Sequence, residues 1–568
     1  MKNKEISIIN VLGFAHNTLN KNFSKFSFLI YFFLLLTGLF YFTGIFSVIP
    51  LVTVLVAPEI ILENDIINSI NFFDGLQLSA IKYYFAVFFL IMMFLSQVLT
   101  FMNNLLFTYI SNKISFNMRS KFYENFLSNK LNFFATIDLQ KSGIILSSEI
   151  DKIGDLVNSY LNIVRDILIL TITVTGIIII DFKVLFFISL LAVFFVFTYL
   201  ISRAKIKEYS VKDFNIRTDL SLIANWFSAG FKEILIFKLK KHFLSHFKKL
   251  NFQLIYLNLK KIGLISLPKQ LVEIILYLII IVYFLTIKTE KIIVSEIPFY
   301  CFYFLAVFKC VPIIFSLYRS FSMIQTSSTL FDTIPTLEKF LAFKKPEVKS
   351  KEIIKSFKNN LKVEKVEFNY PQSEKKFKFD YIIKKNAKVL ISGKSGSGKT
   401  TLVNLISGLI KPNIGLIKID GTDIDKDLNG FLSIIGYVSQ TPFIFADTLA
   451  TNISLKKNLK ISDFKKLKKI FQICGLENIY GKFENSIDTK IKSSAPELSG
   501  GQRQRISLAR VLFKNPQILI IDEGLNALDQ KSEKNIMREI LKNFKEITII
   551  YISHRPIKGI FKNEIKIK

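Results

Sequence analysis

The chain is 568 residues long, 51% hydrophobic and 21% charged, with a mean hydropathy of +0.39. So apolar a composition excludes an ordinary water-soluble protein, and the length has room for two or three domains. The formal net charge of +31 comes without a nucleic-acid-binding module. Lysine is over-used beside isoleucine, asparagine and phenylalanine, and its charge falls largely on segments suited to face anionic lipid, so no nucleic-acid partner is expected.

The apolar residues cluster before about residue 325, in runs of about 20 residues or more that can cross a bilayer. Spans are predicted at about 27–56, 82–110, 161–181, 184–203, 264–287 and 297–318, roughly six helices. Lys2, Lys4, Lys21 and Lys25 precede the first span, which is too long for a signal-peptide core and is expected to insert the chain uncleaved. Between the first two spans stand Glu59, Glu63, Asp65 and Asp74 with no lysine or arginine. Between the fourth and fifth stand Arg203, Lys205, Lys207, Lys212, Arg217 and further lysines through Lys261. The positive-inside bias therefore puts the latter segment, the N-terminus and everything after the last span in the cytoplasm.

The connections after the second and fourth spans keep helical spacing and are too long for turns, so they read as spans prolonged into the cytoplasm. At their tips, Leu131-Asn132-Phe133-Phe134 and Ala224-Asn225-Trp226-Phe227 either dock on the following domain or close helical hairpins. Within the spans, Lys269 and Glu273 stand one turn apart and Lys309 lies deep in the sixth; such groups face a bundle interior or an aqueous cavity. Lys309 is the candidate contact for an anionic head group, with snorkelling or pairing to Glu273 as alternatives. Cys301, Cys310 and Cys474 have no metal-ligand spacing and predict no disulfide framework.

The predicted organisation is a transmembrane domain over about residues 1–335, a linker over about 336–355 that contains the lysine-rich run Lys344–Lys351, and an α/β domain over about 356–568. In the last, Gly393-Lys394-Ser395-Gly396-Ser397-Gly398-Lys399-Thr400 follows a β-like run and opens a helical pattern at Thr401. That is the context a phosphate-binding loop requires. Glycines let backbone N–H groups approach the phosphates, and the following helix adds its positive N-terminus. Lys399 would lie on the β/γ oxygens of ATP, while Thr400 and Asp522, which ends the apolar run Ile518–Ile521, would hold Mg²⁺. Glu523, the next residue, can orient and deprotonate an attacking water. By itself Asp522-Glu523 is also what a solvated turn after a strand looks like.

Leu498-Ser499-Gly500-Gly501-Gln502, followed by Arg503-Gln504-Arg505-Ile506-Ser507, resembles the signature of the ATP-binding cassette (ABC) family. The resemblance implies that Tyr370 stacks on adenine, that Gln440 touches metal and coupling element, and that His554 meets the γ-phosphate. It implies too that Asn526-Ala527-Leu528-Asp529 signals between sites. Thr401, Gln502 and Asp529 join the expected nucleotide site. Ser499, Gly500 and Gly501 would begin a helix, a second anion-binding end, and in the family that end closes over ATP held by another copy. A dimer of half-transporters is thus expected, a homodimer or a heterodimer.

The implied fold is an α-helical six-span transmembrane domain fused to an α/β P-loop ABC ATPase domain, multi-pass in a bacterial inner membrane with the ATPase cytoplasmic. Gly230-Phe231-Lys232-Glu233-Ile234, His242-Phe243, Lys309-Cys310-Val311-Pro312 and Arg319-Ser320-Phe321-Ser322-Met323-Ile324 look like exporters that flip lipid-linked oligosaccharides. The implied function is ATP-driven movement of such cargo or a related amphipathic lipid by alternating access, with a peptide or multidrug exporter as the alternative. The chain departs from the family pattern in Lys490–Glu497, which lacks the usual acidic-glycine pattern, and in Asn526, where serine is usual. It also stops soon after His554, so short or missing closing strands are expected.

Overall fold

The computed structural model describes residues 8–56, 78–128, 149–180, 183–286, 296–327, 330, 354–370, 375–394, 396–481, 487–491, 498–553, 559–561 and 563–567. These belong to two compact units, a helical one before residue 344 and an α/β one after it.

In the helical unit, a first helix Ile8–Phe23 precedes Ser27–Phe46 and Val48–Val56. The long helices Leu78–Ser128, Ile150–Ile180, Lys183–Ala229, Lys240–Thr286 and Ile297–Thr326 follow, with the short helix Phe231–Ile236 between the fourth span and the fifth. Among the described residues five stretches, Ile9–Val56, Ala80–Asn125, Ile150–Ile180, Ile188–Phe227 and Ile297–Thr326, are long and apolar enough to cross a membrane. Lys240–Thr286 carries the run predicted as the fifth span. Helices of 51, 47 and 47 residues reach roughly 70 Å or more at 1.5 Å per residue, more than twice the hydrocarbon thickness, so they continue well beyond it.

The first span is interrupted at Ser47 because Pro50 has no N–H and its ring clashes with the carbonyl four residues back, that of Phe46. Between the fourth and fifth spans the chain turns at Gly230–Leu239, just after Ala224–Phe227, which forms the last turns of the long helix Lys183–Ala229. Trp226 and Phe227 are nonetheless half exposed, and Phe227 meets Phe231 edge-on at 5.3 Å. Leu131–Phe134 lies outside the described residues.

Packing in the bundle is tight and partly polar. Ile169, Phe195, Phe302, Ala306 and Tyr318 form a buried cluster, while Phe28, Leu90, Phe94, Ile179 and Phe197 are exposed as lipid-facing residues should be. Because lipid offers no hydrophobic drive for helix association, small residues and hydrogen bonds hold the helices. Asn103 Nδ2 donates to Thr37 Oγ1 at 2.6 Å, Tyr41 OH to the Lys309 carbonyl at 2.8 Å, and Tyr318 OH to the Leu264 carbonyl at 2.6 Å.

The α/β unit holds two sheets. Strands β1 (Asn360–Asn369), β2 (Lys376–Lys384), β4 (Ile414–Ile419) and β5 (Thr422–Asp423) form an antiparallel sheet in the order β2-β1-β4-β5. Strands β3 (Lys388–Gly393), β6 (Ile435–Val438), β7 (Ile518–Asp522), β8 (Thr548–Ile552) and β9 (Asn563–Ile567) form a parallel sheet in the order β6-β7-β8-β3-β9. Strands β7 and β8 are buried at every position, which is why they read as continuous apolar runs rather than alternating ones. The closing strand is present but short: β9, five residues long, pairs with β3 from Val389↔Asn563 to Gly393↔Ile567.

One close approach tests the packing of the bundle. A Cβ on Gly154 would stand 2.4 Å from Ser115 Oγ and 2.9 Å from the Ser111 carbonyl oxygen, so Gly154→Val must push two helices apart. It should cost about 1–3 kcal/mol and lower the melting temperature of the detergent-solubilised protein, while Gly263→Ala, where nothing lies within 4 Å, should leave it unchanged.

Candidate nucleotide site

The phosphate-binding loop leaves β3 and enters the helix Lys399–Ile406 through Gly398, whose φ of 105° and left-handed conformation suit only glycine. A Cβ there would also fall 2.5 Å from the Phe377 ring. Lys399 is buried, and its Nζ donates to the carbonyls of Gly393 at 2.9 Å and Lys394 at 3.0 Å. Ser397 Oγ is buried without a hydrogen-bond partner. A buried ammonium, an orphan hydroxyl and a helix N-terminus facing one loop fit phosphate oxygens. Tyr370, just past β1, sets its OH 3.5 Å from Thr401 Oγ1 and its ring edge-on to Phe368 at 4.9 Å, which places an aromatic beside the loop's helix. Ser395 lies outside the described residues.

At the end of β7, Asp522 is buried and accepts a hydrogen bond from Tyr437 OH at 3.2 Å. Burial pushes its carboxyl above the usual range, against the Tyr437 bond; Glu523 adds to the rise and Lys399 opposes it. A divalent cation would reverse that balance. Mg²⁺ takes one or two carboxylates plus substrate phosphates, and Asp522 at the strand end offers one such carboxylate. Asp522, Thr400 and Gln440 are the residues able to hold it.

Glu523 has a φ of 52°, an uncommon conformation for a residue with a side chain. Its Oε2 accepts from Gln440 Nε2 at 2.9 Å and from Asn526 Nδ2 at 3.2 Å. Asn526, the departure from the usual serine, thus reaches the carboxylate directly.

Ser499 caps the helix Gly500–Phe513 reciprocally: its Oγ accepts from Gln502 N at 3.2 Å and its N–H donates to Gln502 Oε1 at 2.8 Å. Gly501 is closely packed, since a Cβ would sit 3.0 Å from Leu528 Cδ2 and 3.2 Å from the Ala527 carbonyl oxygen, so that its neighbours would have to give by a few tenths of an ångström. Asp529 caps a different helix, Gln530–Asn543, by accepting from Ser532 N at 2.8 Å, and that backbone bond holds its carboxyl below the usual range. His554 lies outside the described residues, as does the atypical segment from 492 to 497.

Sequence reasoning missed Gln504. It is buried on the signature helix; its Oε1 accepts from Ala527 N at 2.9 Å and its Nε2 donates to the Gln440 carbonyl at 3.4 Å. One amide therefore ties the signature helix to both segments that carry the Glu523 donors. A glutamine one turn past Gly500 on the inward side of the helix is the only sequence signal it leaves.

Residues 377–526 match the ABC transporter family and residues 61–309 match the ABC transporter transmembrane region. The chain belongs to the ABC transporter family, with the exporter-type order of a transmembrane region followed by an ATP-binding domain. A Rickettsia typhi protein named for an export ATP-binding/permease role is 40% identical over 177 residues, 30% of each chain. An ATP-dependent lipid A-core flippase of Vibrio parahaemolyticus is 37% identical over 205 residues, 35% of this chain and 34% of that one. ABC transporter B family member 21 of Arabidopsis thaliana is 31% identical over 221 residues, 37% of this chain and 17% of the relative. These matches span 17–34% of the relatives' own length. The structure of a bacterial Atm1-family ABC exporter with ATP bound aligns with a TM-score of 0.67 over 93% of both chains at 18% identity, a shared fold.

Burial makes Asp522 a testable group. A carboxyl whose pKa is raised by folding contributes stability below its unfolded value and loses it as pH rises through the folded value, so at pH 7 the ionised form opposes folding. Asp522→Asn should keep or raise the melting temperature of the nucleotide-free protein at pH 7 while ATP turnover is lost. A clearly lower melting temperature would count against the burial argument.

Proposed function

We propose that the chain is one half of a dimeric, ATP-driven exporter that moves a lipid-linked oligosaccharide or related amphipathic lipid across a bacterial inner membrane by alternating access. The observation that carries the ATPase reading is the convergence of Gln440, Asn526 and Gln504 on Glu523 and its neighbours, beside a loop shaped for phosphate.

In this reading Lys399 and the loop N–H groups of Gly393–Thr400 hold the phosphates of ATP, and Tyr370 packs on its base. Thr400, Asp522 and Gln440 would hold Mg²⁺, which would supply neutralising charge to the phosphate oxygens. Glu523 orients the attacking water and takes its proton, with Gln440 and Asn526 fixing the carboxylate and His554 contacting the γ-phosphate. Ser499, Gly500, Gly501 and Gln502 of a second copy close over the same ATP, with Asp529 beside them. Ser499 and Gly500 stand exposed at their helix start, as that requires. ATP drives the conformational change because it binds the closed dimer better than the open one; equal affinity would shift nothing.

The cargo reading is supported by the likeness to a protein named as a lipid A-core flippase. A peptide or multidrug exporter is the second reading, since the same architecture serves it. Lys309, the expected head-group contact, is half-buried with its Nζ 5.7 Å from the centre of the Tyr41 ring, and Lys269 pairs with Glu273 at 3.5 Å.

Glu523→Gln should keep ATP binding yet cut turnover by about 10²-fold or more, the value of general-base help, and trap a closed dimer visible by crosslinking. Near-normal hydrolysis would remove Glu523 from its role. Copies carrying Lys399→Ala mixed with copies carrying Ser499→Arg should form hybrids with one intact site and hydrolyse ATP faster than either parent alone. Turnover no higher than the parents' would argue against sites shared between copies.

A further inference from the structure

A cavity of about 450 Å³ opens within the helical unit between the helices Leu78–Ser128, Ile150–Ile180 and Ile297–Thr326. The volume is within the about 300–1,000 Å³ common for small-molecule sites. Each helix presents to it a polar stripe at helical spacing: Asn104 and Thr108 on the first, Asp155, Asn158, Ser159 and Asn162 on the second, Ser316, Arg319 and Ser320 on the third. Several of these groups are satisfied within their own helix, with Thr108 Oγ1 on the Asn104 carbonyl, Ser159 Oγ on the Asp155 carbonyl and Asn162 Nδ2 on the Asn158 carbonyl, while the NH₂ groups of Asn104 and Asn158 donate to no partner among the described residues and are left for a polar occupant.

The charges on this wall cancel. Arg165 is buried and spent within the protein: it pairs with Asp166 at 2.8 Å, donates to Asn104 Oδ1 at 2.7 Å and lies over the Phe107 ring at 5.7 Å. What remains facing the cavity is one carboxylate, Asp155, and one guanidinium, Arg319. Counting Asp166 behind the wall, two cations stand against two carboxylates by formal charge, and a second copy of this chain would add the same set. Lys309 does not line the cavity; it lies seven residues before Ser316, about 10 Å away along the helix axis. A phosphate or pyrophosphate site would need unspent guanidinium or ammonium groups aimed at one point. Amides and hydroxyls, which both donate and accept, instead match the hydroxyl groups of a sugar. Asn104, whose carbonyl oxygen is taken by Arg165, offers its NH₂ group.

We infer that this cavity binds an uncharged, hydroxyl-rich saccharide head group, and that Asn104 and Asn158 discriminate in its favour over anionic head groups. The inference rests on the exporter reading above and specifies the chemistry of its cargo.

The test uses the full-length protein. In nucleotide-free detergent solution, maltotriose should raise the melting temperature of the protein, and Asn158→Ala should weaken that response about 2–10-fold in concentration, the range of one lost hydrogen bond. Asn158→Ser, which keeps a donor and an acceptor, serves if the alanine variant does not fold. In vesicles, a neutral dihexosyl diacylglycerol should stimulate ATP hydrolysis more than diacylglycerol or phosphatidic acid, with the stimulation weakened by Asn104→Ala and Asn158→Ala. Stimulation by phosphatidic acid above that by the neutral glycolipid, or a maltotriose response unchanged by the asparagine variants, overturns the inference. A maltotriose response that persists in a protein without ATP turnover keeps the cavity assignment and overturns the exporter reading.

Discussion

The candidate site depends on one topological constraint: in a parallel sheet every strand ends at the same edge, so the loops that follow the strands gather there. The registers make this concrete. Ile391 of β3 pairs with Ile552 of β8, Ile552 with Asp522 of β7, and Val438 of β6 with Ile521. The phosphate-binding loop, Asp522-Glu523 and Gln440 therefore leave the sheet at one end, with β8 between the first two, although more than a hundred residues separate the first from the second in sequence. The burial of β7 and β8 on both faces holds that edge rigid, which a site needing carboxylate and phosphate loop in fixed relation requires.

Around this edge, hydrogen bonds convert proximity into coupling. Gln504 bonds the segment of Gln440 and the segment of Ala527 from one buried side chain, and both segments send an amide to Glu523 Oε2. A shift of the signature helix would therefore reach the proposed base through two short routes. That gives a physical meaning to Asn526, whose longer side chain bridges to the carboxylate.

The helical unit follows the opposite solvent logic. Apolar residues face outward toward lipid, and polar residues that would be unremarkable on a water-soluble helix become informative because they face inward. Arg165 and Asp166, adjacent in sequence, pair through Asp166 Oδ1 inside the bundle, so neither is left as an isolated buried charge. The remaining inward polar groups are spaced three and four residues apart on three helices and come together only when these pack.

Sequence alone determined the class of the fold and proposed a nucleotide site residue by residue, because membrane thickness demands long apolar runs and phosphate chemistry demands a glycine-rich loop ending in lysine and threonine at a helix start. Both are local requirements, written over contiguous residues. The break of the first span at Pro50 was equally legible in principle, since proline acts on its own preceding turn. What only tertiary structure decided are relations between distant segments: the tip at Gly230–Leu239, Gln504 as a tie and Asn526 on Glu523. The polar cavity belongs here too, for Arg165 and Lys309 look alike as charges in apolar runs. Only packing shows that one is cancelled by Asp166 beside a cavity and the other lies against Tyr41, because a charge's meaning in low dielectric is set by what surrounds it.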